Sequence, residues 1–152
     1  SISARENERD VMAGPKKKKK QTLTSVGRRL DVLARHICKE LAEYTCQRCG
    51  RVGDSSSIEW AHIEKRSKKA IRWSQMNCLA LCNSKLNNCH YWFDNNRAVS
   101  MKWLEENFPE KHAWLIEEEM GIPRAQMLST DTLDDRLVLE ESLKEIKRRL
   151  SD

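Results

Sequence analysis

Leu30, Leu33, Ile37, Leu41 and Tyr44 recur at gaps of three and four, the spacing of one face of an α-helix. They predict an amphipathic helix from about residue 24 to 44, with Thr24 or Ser25 available as its cap. Arg28, Arg35 and Lys39 fall on another face, where a charged stripe is either solvated or follows a polyanion backbone. From residue 45 to 96 the helical period is lost to five cysteines, Gly50, Gly53 and a serine run. Here "SSIEWAHIE" and "KKAIRW" read as two short strands joined by "KRS", and "CNSKLNNCHYWFDNN" reads as a turn leading into a helix. The unit is strand, strand, helix. Beyond residue 98 the chain is expected to be helical: Ser100 can cap "MKWLEENF", Pro109 occupies a first turn of "PEKHAWLIEEEM", and Gly121 ends that helix. A final helix is expected to begin near Thr132, with Asp135 three residues on and a stripe of Leu139, Leu143, Ile146 and Leu150. That stripe packs on the domain in the simpler reading and makes a dimer in the sharper one, although its heptads are few for a coiled coil. There is no internal repeat.

These elements predict an α+β fold in which a small two-strand and one-helix centre is flanked by N-terminal and C-terminal helices. The expected division is a disordered basic arm over residues 1–22, a central domain over 23–120 and a C-terminal helical extension over 121–152. A chain of 152 residues buries roughly 70% of its unfolded surface, enough for one modest core. With 39% apolar and 34% charged residues, and no apolar run near the roughly 18 residues of a membrane span, a soluble protein is expected and a membrane partner is not. Residues 1–11 are polar and patternless, and the "MAGPKKKKK" that follows reads as a native start. Without a secretory leader pattern, the six cysteines are expected to be thiols or metal ligands rather than disulfides.

Charge divides the chain. Residues 1–100 carry 20 Lys and Arg against 10 Asp and Glu, hence +10, whereas residues 101–152 carry 8 against 13, hence −5. The basic part suits a polyanion, because each neutralised phosphate releases condensed counterions. The lysine run 16–20 follows Gly14-Pro15 and serves phosphate contact or nuclear import, or is a solvated tail.

Cys46-Gln-Arg-Cys49-Gly50 has the form of a zinc knuckle, in which a tight turn aims two sulfurs at one ion. A redox pair shares the spacing but belongs at a helix start after a buried strand, whereas this pair follows an amphipathic helix. Cys78, Cys82 and Cys89 are candidates for the second pair. Cys82 and Cys89 suit it better, because Cys78 lies beside Leu79 and Leu81 in a run that reads as core. Cys38, beside Ile37 and Leu41, reads as a buried thiol. His62 in "EWAHIEKRS" and Asn77 in "SQMNCLALC" lie between the cysteine pairs, and His90 follows the second.

This order of His, Asn and His between and after two cysteine pairs resembles the HNH endonucleases, the ββα-metal nucleases, and among them the zinc-knuckle subgroup common in bacteriophages that includes NinG-like proteins. The resemblance covers about residues 22 to 120. It implies a ββα-metal core, a structural Zn²⁺ on Cys46, Cys49, Cys82 and Cys89, and hydrolysis of phosphodiester bonds in double-stranded DNA, by nicking or double-strand cleavage. It further implies that His62 is the general base, that Asn77 fixes the loop, orients His62 or touches the metal, and that His90 binds a catalytic divalent cation such as Mg²⁺, Mn²⁺ or another transition metal. Asp94, one turn after His90 on the same helix face, can present a second ligand to that cation. Two features depart from the family. Ala61 stands where many members carry a metal ligand, so either His90 and Asp94 hold the ion with waters or Glu59, on the same strand face, replaces the missing ligand. Six residues separate Cys82 from Cys89 where two are usual.

Lys65, Arg66, Lys68, Lys69 and Arg72 crowd the segment after His62 and are candidate phosphate clamps, or simply the charged face of an exposed hairpin. Trp60, Trp73 and Trp92 read as core rather than base-stacking platforms. Two readings compete with the nuclease: a non-catalytic, zinc-stabilised DNA-binding, packaging or recombination accessory module, and a thiol redox protein cycling Cys46 and Cys49. The expected location is the cytoplasm of a bacterial or phage-infected cell, with nuclear import through the lysine run as the alternative.

Overall fold

The computed structural model describes residues 20–123 and 128–152. The basic arm expected over residues 1–22 lies outside the described residues as far as position 19. Among the described residues the protein has five helices and one two-stranded antiparallel sheet, a mixed α and β chain.

Helix α1 spans Leu23–Leu41. Its start is set by Thr22 and Ser25, each hydroxyl accepting from the other's backbone N–H, at 3.0 and 2.9 Å, which satisfies two amide donors left open by the helix end. Val26, Leu30, Leu33, Ala34 and Ile37 are buried on one face. The helix stops short of its expected end: Leu41 is 56% exposed, and Glu43 and Tyr44 turn away in the left-handed region at φ 52°.

Strand β1, Ile58–His62, pairs with β2, Cys78–Cys82, in the register Ile58↔Cys82 through His62↔Cys78. The second strand is therefore not the "KKAIRW" segment. Ile71 and Trp73 do point into the core, which produces the alternation, but their backbone closes local turns, with Lys68 N–H on Lys65 O at 3.0 Å and Ile71 N–H on Lys68 O at 3.2 Å. The edge of β1 is taken instead by the uniformly buried Cys78-Leu-Ala-Leu-Cys82 run, whose lack of alternation fits a strand covered on both faces.

Helix α2, Cys89–Asn95, follows, then α3, Arg97–Asn107, α4, Pro109–Glu119, and α5, Leu133–Ser151. Ser100 does not cap α3. It sits inside that helix, buried, and its hydroxyl donates to Phe93 O at 2.9 Å, tying α3 to α2. Pro109 opens α4, and Gly121 leaves it at φ 71°. Thr132 and Asp135 cap α5 reciprocally. Helix α5 lies along α1: Leu143 is buried between them, and Glu140 accepts two bonds from Arg29, at 2.6 and 3.0 Å. Only the first part of its apolar stripe is covered, since Ile146 and Leu150 are exposed. No helix among the described residues is long and apolar enough to cross a membrane.

Candidate metal centre and cleft

The two cysteine pairs meet. Cys46 and Cys49 flank a turn closed by Gly50 N–H on Cys46 O at 2.9 Å and Cys46 N–H on Arg51 O at 2.8 Å. Gly50 holds φ 79° there, a conformation an L side chain strains to adopt. Gln47 fastens the turn to β2, its backbone N–H donating to Ala80 O at 2.8 Å and its side chain accepting from Ala80 N–H at 2.9 Å. Cys82 closes β2, and Cys89 opens α2. The longer connection folds into a turn of its own, with Asn88 N–H on Ser84 O at 2.8 Å and Asn87 N–H on Ser84 Oγ at 3.2 Å. Leu86 at its tip is 86% exposed, so the extra residues project outward while the sulfurs stay together.

The four ligand sulfurs all lie within 4.8 Å of one another. Cys49 Sγ and Cys82 Sγ are 3.7 Å apart, against about 3.8 Å for two sulfurs of a tetrahedron with Zn–S bonds of about 2.3 Å. Burial opposes ionisation of the Cys82 thiol, yet donors from the Cys89 and Ser84 backbones and the Ser84 hydroxyl bring it down to about 6, which favours the thiolate a metal requires. Arg48 donates to Cys89 Sγ at 3.4 Å and stacks 3.7 Å over the Trp92 ring. The cluster can hold a metal ion, and four converging sulfurs, three of them buried and that of Cys49 exposed, are compatible with structural zinc. Cys38 and Cys78 stand apart from it. Both are buried, and the hydrogen bond between them, with burial, pushes the Cys38 thiol up.

Consecutive residues of α2 serve two places: Cys89 faces the sulfur cluster, and His90 faces a cleft of about 1120 Å³ between α1, β1 and α2. His62, at the end of β1, shares that cleft. Its Nε2 is 2.9 Å from Arg72 O. A carbonyl oxygen only accepts, so Nε2 carries the proton and Nδ1 keeps its lone pair. Burial lowers the His62 pKa, and the Arg66 and Arg72 charges lower it further against the opposing pull of the Arg72 carbonyl and Asp31. Both effects favour the neutral imidazole, in which Nδ1 is the nitrogen that can accept a proton.

Asn77 is fully buried. Its Oδ1 accepts from Glu64 N–H at 2.8 Å, and its Nδ2 donates to Glu64 O at 3.3 Å and Ile71 O at 3.2 Å. It therefore pins both ends of the loop after His62 and does not line the cleft. His90 lies between two carboxylates, with Nδ1 2.9 Å from Glu59 Oε1 and Nε2 3.2 Å from Asp94 Oδ2. The carboxylates flank opposite ring nitrogens, so only one of them could share a cation with the ring while the other holds the remaining N–H.

No family model, curated protein or solved structure matches this chain.

Of the five cations expected at phosphates, Lys65, Arg66 and Lys68 line the cleft. Lys68 also pairs with Glu64 at 3.3 Å. Lys69 borders a separate depression against α4. Arg72 is drawn inward, donating to both Asp31 oxygens at 2.9 and 2.6 Å, and so does not present its guanidinium to the cleft. Arg35 lies 5.9 Å over the Trp60 ring, with Arg66 at 5.6 Å from the same ring. Lys39 joins the lining while donating to Ser55 O at 2.8 Å. Arg97, which pairs with Glu64 and donates to Ile63 O at 2.7 Å, was not legible in the sequence. Neither was Asp31. Its only signal is a carboxylate between Leu30 and Leu33 on the buried side of an amphipathic helix.

Proposed function

We propose that the protein is a metal-dependent DNA endonuclease of the HNH type, with a ββα-metal core formed by β1, β2 and α2. The observation that carries the reading is the meeting of His62, whose Nε2–H is held by the Arg72 carbonyl, and the His90–Asp94 pair in one cleft rich in Lys and Arg. Phosphodiester hydrolysis requires a base for the attacking water and compensation of charge on the phosphate and leaving oxygen. His62 Nδ1 takes the proton from water, and the Arg72 carbonyl holds the opposite nitrogen and so fixes the ring. His90 Nε2 and Asp94 would hold a divalent cation, Mg²⁺, Mn²⁺ or another transition metal, which when bound neutralises charge at the scissile phosphate. Glu59 accepts from His90 Nδ1–H, which sets the tautomer and strengthens the ligating nitrogen. Thus Glu59 is assigned as the orienting partner and not as a replacement for the ligand that Ala61 lacks. Asn77 is a positioning residue for the loop. Lys65, Arg66 and Arg35 contact flanking phosphates of double-stranded DNA, leaving sequence to be read elsewhere or not at all. Cys46, Cys49, Cys82 and Cys89 would hold a structural Zn²⁺, which when bound would tie the end of β2 to the start of α2.

The test is a supercoiled plasmid incubated with the full chain and Mg²⁺, Mn²⁺ or no added ion. Nicked or linear product carrying 3′-hydroxyl and 5′-phosphate ends is expected only with an ion. Retarded but uncut DNA with both ions would instead make the protein a zinc-stabilised DNA-binding module.

A further inference from the structure

The Arg72 carbonyl that receives His62 Nε2–H belongs to an irregular loop, not to a strand, and a loop carbonyl holds a ring only as firmly as the loop is held. The loop is fixed from α1. Asp31 is 7% exposed and takes three donors from two adjacent loop residues: Arg72 Nε at 2.9 Å, Arg72 Nη2 at 2.6 Å and Trp73 Nε1 at 2.8 Å. Arg66 Nη2 approaches the same carboxylate at 3.6 Å. This forked, charge-assisted arrangement fixes distance and orientation together. Further supports come from the C-terminal part of the chain, where Thr130 Oγ1 donates to Lys69 O at 3.0 Å and Arg136 lies 5.1 Å over the Trp73 ring.

We infer that Asp31 is a positioning residue for His62, acting through the Arg72 side chain to hold the Arg72 carbonyl against Nε2–H and keep the lone pair on Nδ1. The inference deepens the nuclease reading and rests on it for its purpose, but the arrangement it describes is observable without catalysis. A carboxylate that served stability alone would anchor the loop without selecting a tautomer. Loss of the Asp31 anchor frees the carbonyl, and a neutral imidazole without that partner distributes its proton over both nitrogens.

The experiment is long-range ¹H–¹⁵N NMR of the imidazoles in the full, zinc-loaded chain, with nicking measured on the same samples. The wild type is expected to show neutral His62 protonated almost wholly at Nε2. Asp31→Asn and, independently, Arg72→Gln are expected to give mixed tautomers and about tenfold slower nicking at unchanged plasmid affinity, and Asp31→Glu to restore part of the wild-type pattern. Arg72→Gln leaves Asp31 bonded to the Trp73 indole, so it provides the measurement if Asp31→Asn does not fold. A wild-type ring protonated at Nδ1, or a folded variant that keeps the single Nε2–H tautomer, overturns the inference. If the tautomers behave as expected and no variant, wild type included, cuts DNA, the positioning stands and the nuclease reading falls.

Discussion

Cys89 and His90 are neighbours in the chain and serve opposite kinds of site. On one side of α2, four like donors are gathered within 4.8 Å, three of them buried. This is a closed set of soft ligands with no position left for a substrate. On the other side, nitrogen and carboxylate donors stand around an open cleft with cations at its rim. The difference lies within one helix start: Cys89 joins the sulfur cluster beside the end of β2, and the next residue turns its imidazole into the cleft, between Glu59 and Asp94. Damage to the first site is expected to unfold the centre, whereas damage to the second is expected to leave a folded, inactive protein.

The largest effect should come from the sulfur side. Structural zinc contributes on the order of 10 kcal/mol of apparent binding free energy, comparable with the whole stability of a domain. Cys82→Ser should therefore abolish stoichiometric zinc and the cooperative thermal transition, measured by metal analysis and circular dichroism. Cys78→Ala, four residues earlier but outside the cluster, should keep the metal and cost on the order of 1 kcal/mol. Equal zinc content in the wild type and Cys82→Ser would break the comparison at its root. On the cleft side, Glu59→Gln should preserve zinc and melting temperature while lowering nicking, or affinity for the divalent ion, by about 10- to 100-fold through the loosened His90 ring. An unchanged metal titration would remove Glu59 from the site.

Smaller effects sharpen the boundary. Lys65→Ala should reduce the slope of log affinity against log salt by about 1, one phosphate contact's worth. Arg72→Ala should instead lower the melting temperature, because it leaves the Asp31 carboxylate with fewer donors. The smallest is a displacement along the pH axis. Folding lowers the His62 pKa, chiefly by burial, so its contribution to stability is present above the unfolded value of about 6.5 and is lost as pH falls through the lower folded value. For the same reason the acid limb of the nicking rate should have its midpoint below about pH 6.5. A midpoint above that value would mean that another group is titrating.

Much of this contrast was legible in the residues. The two cysteine pairs could be chosen because zinc geometry demands two pairs and Cys78 lies in an apolar run. His62 and His90 were singled out only through the family resemblance that their order around those pairs carries, and the fold brings both to one cleft. The second strand could not be placed, because alternation records only which side chains point inward, and Ile71 and Trp73 point inward from a loop. The six-residue gap between Cys82 and Cys89 was a doubt that only the Ser84–Asn88 turn resolves. The inward turn of Arg72 and the part played by Asp31 depend on contacts 41 residues apart, and a run of basic residues gives no sign of which one is paired. Ser100, read as a cap, serves α3 from within because Phe93 O takes its hydroxyl.

The most direct measurement is the plasmid nicking rate of His62→Ala beside the wild type, in Mg²⁺ and in Mn²⁺, on samples matched for zinc content and circular dichroism. A general base at His62 predicts a loss of about 10²- to 10⁴-fold, the usual contribution of such a group, with one zinc per chain in both proteins. A folded, zinc-loaded His62→Ala protein that cuts as fast as the wild type would contradict it.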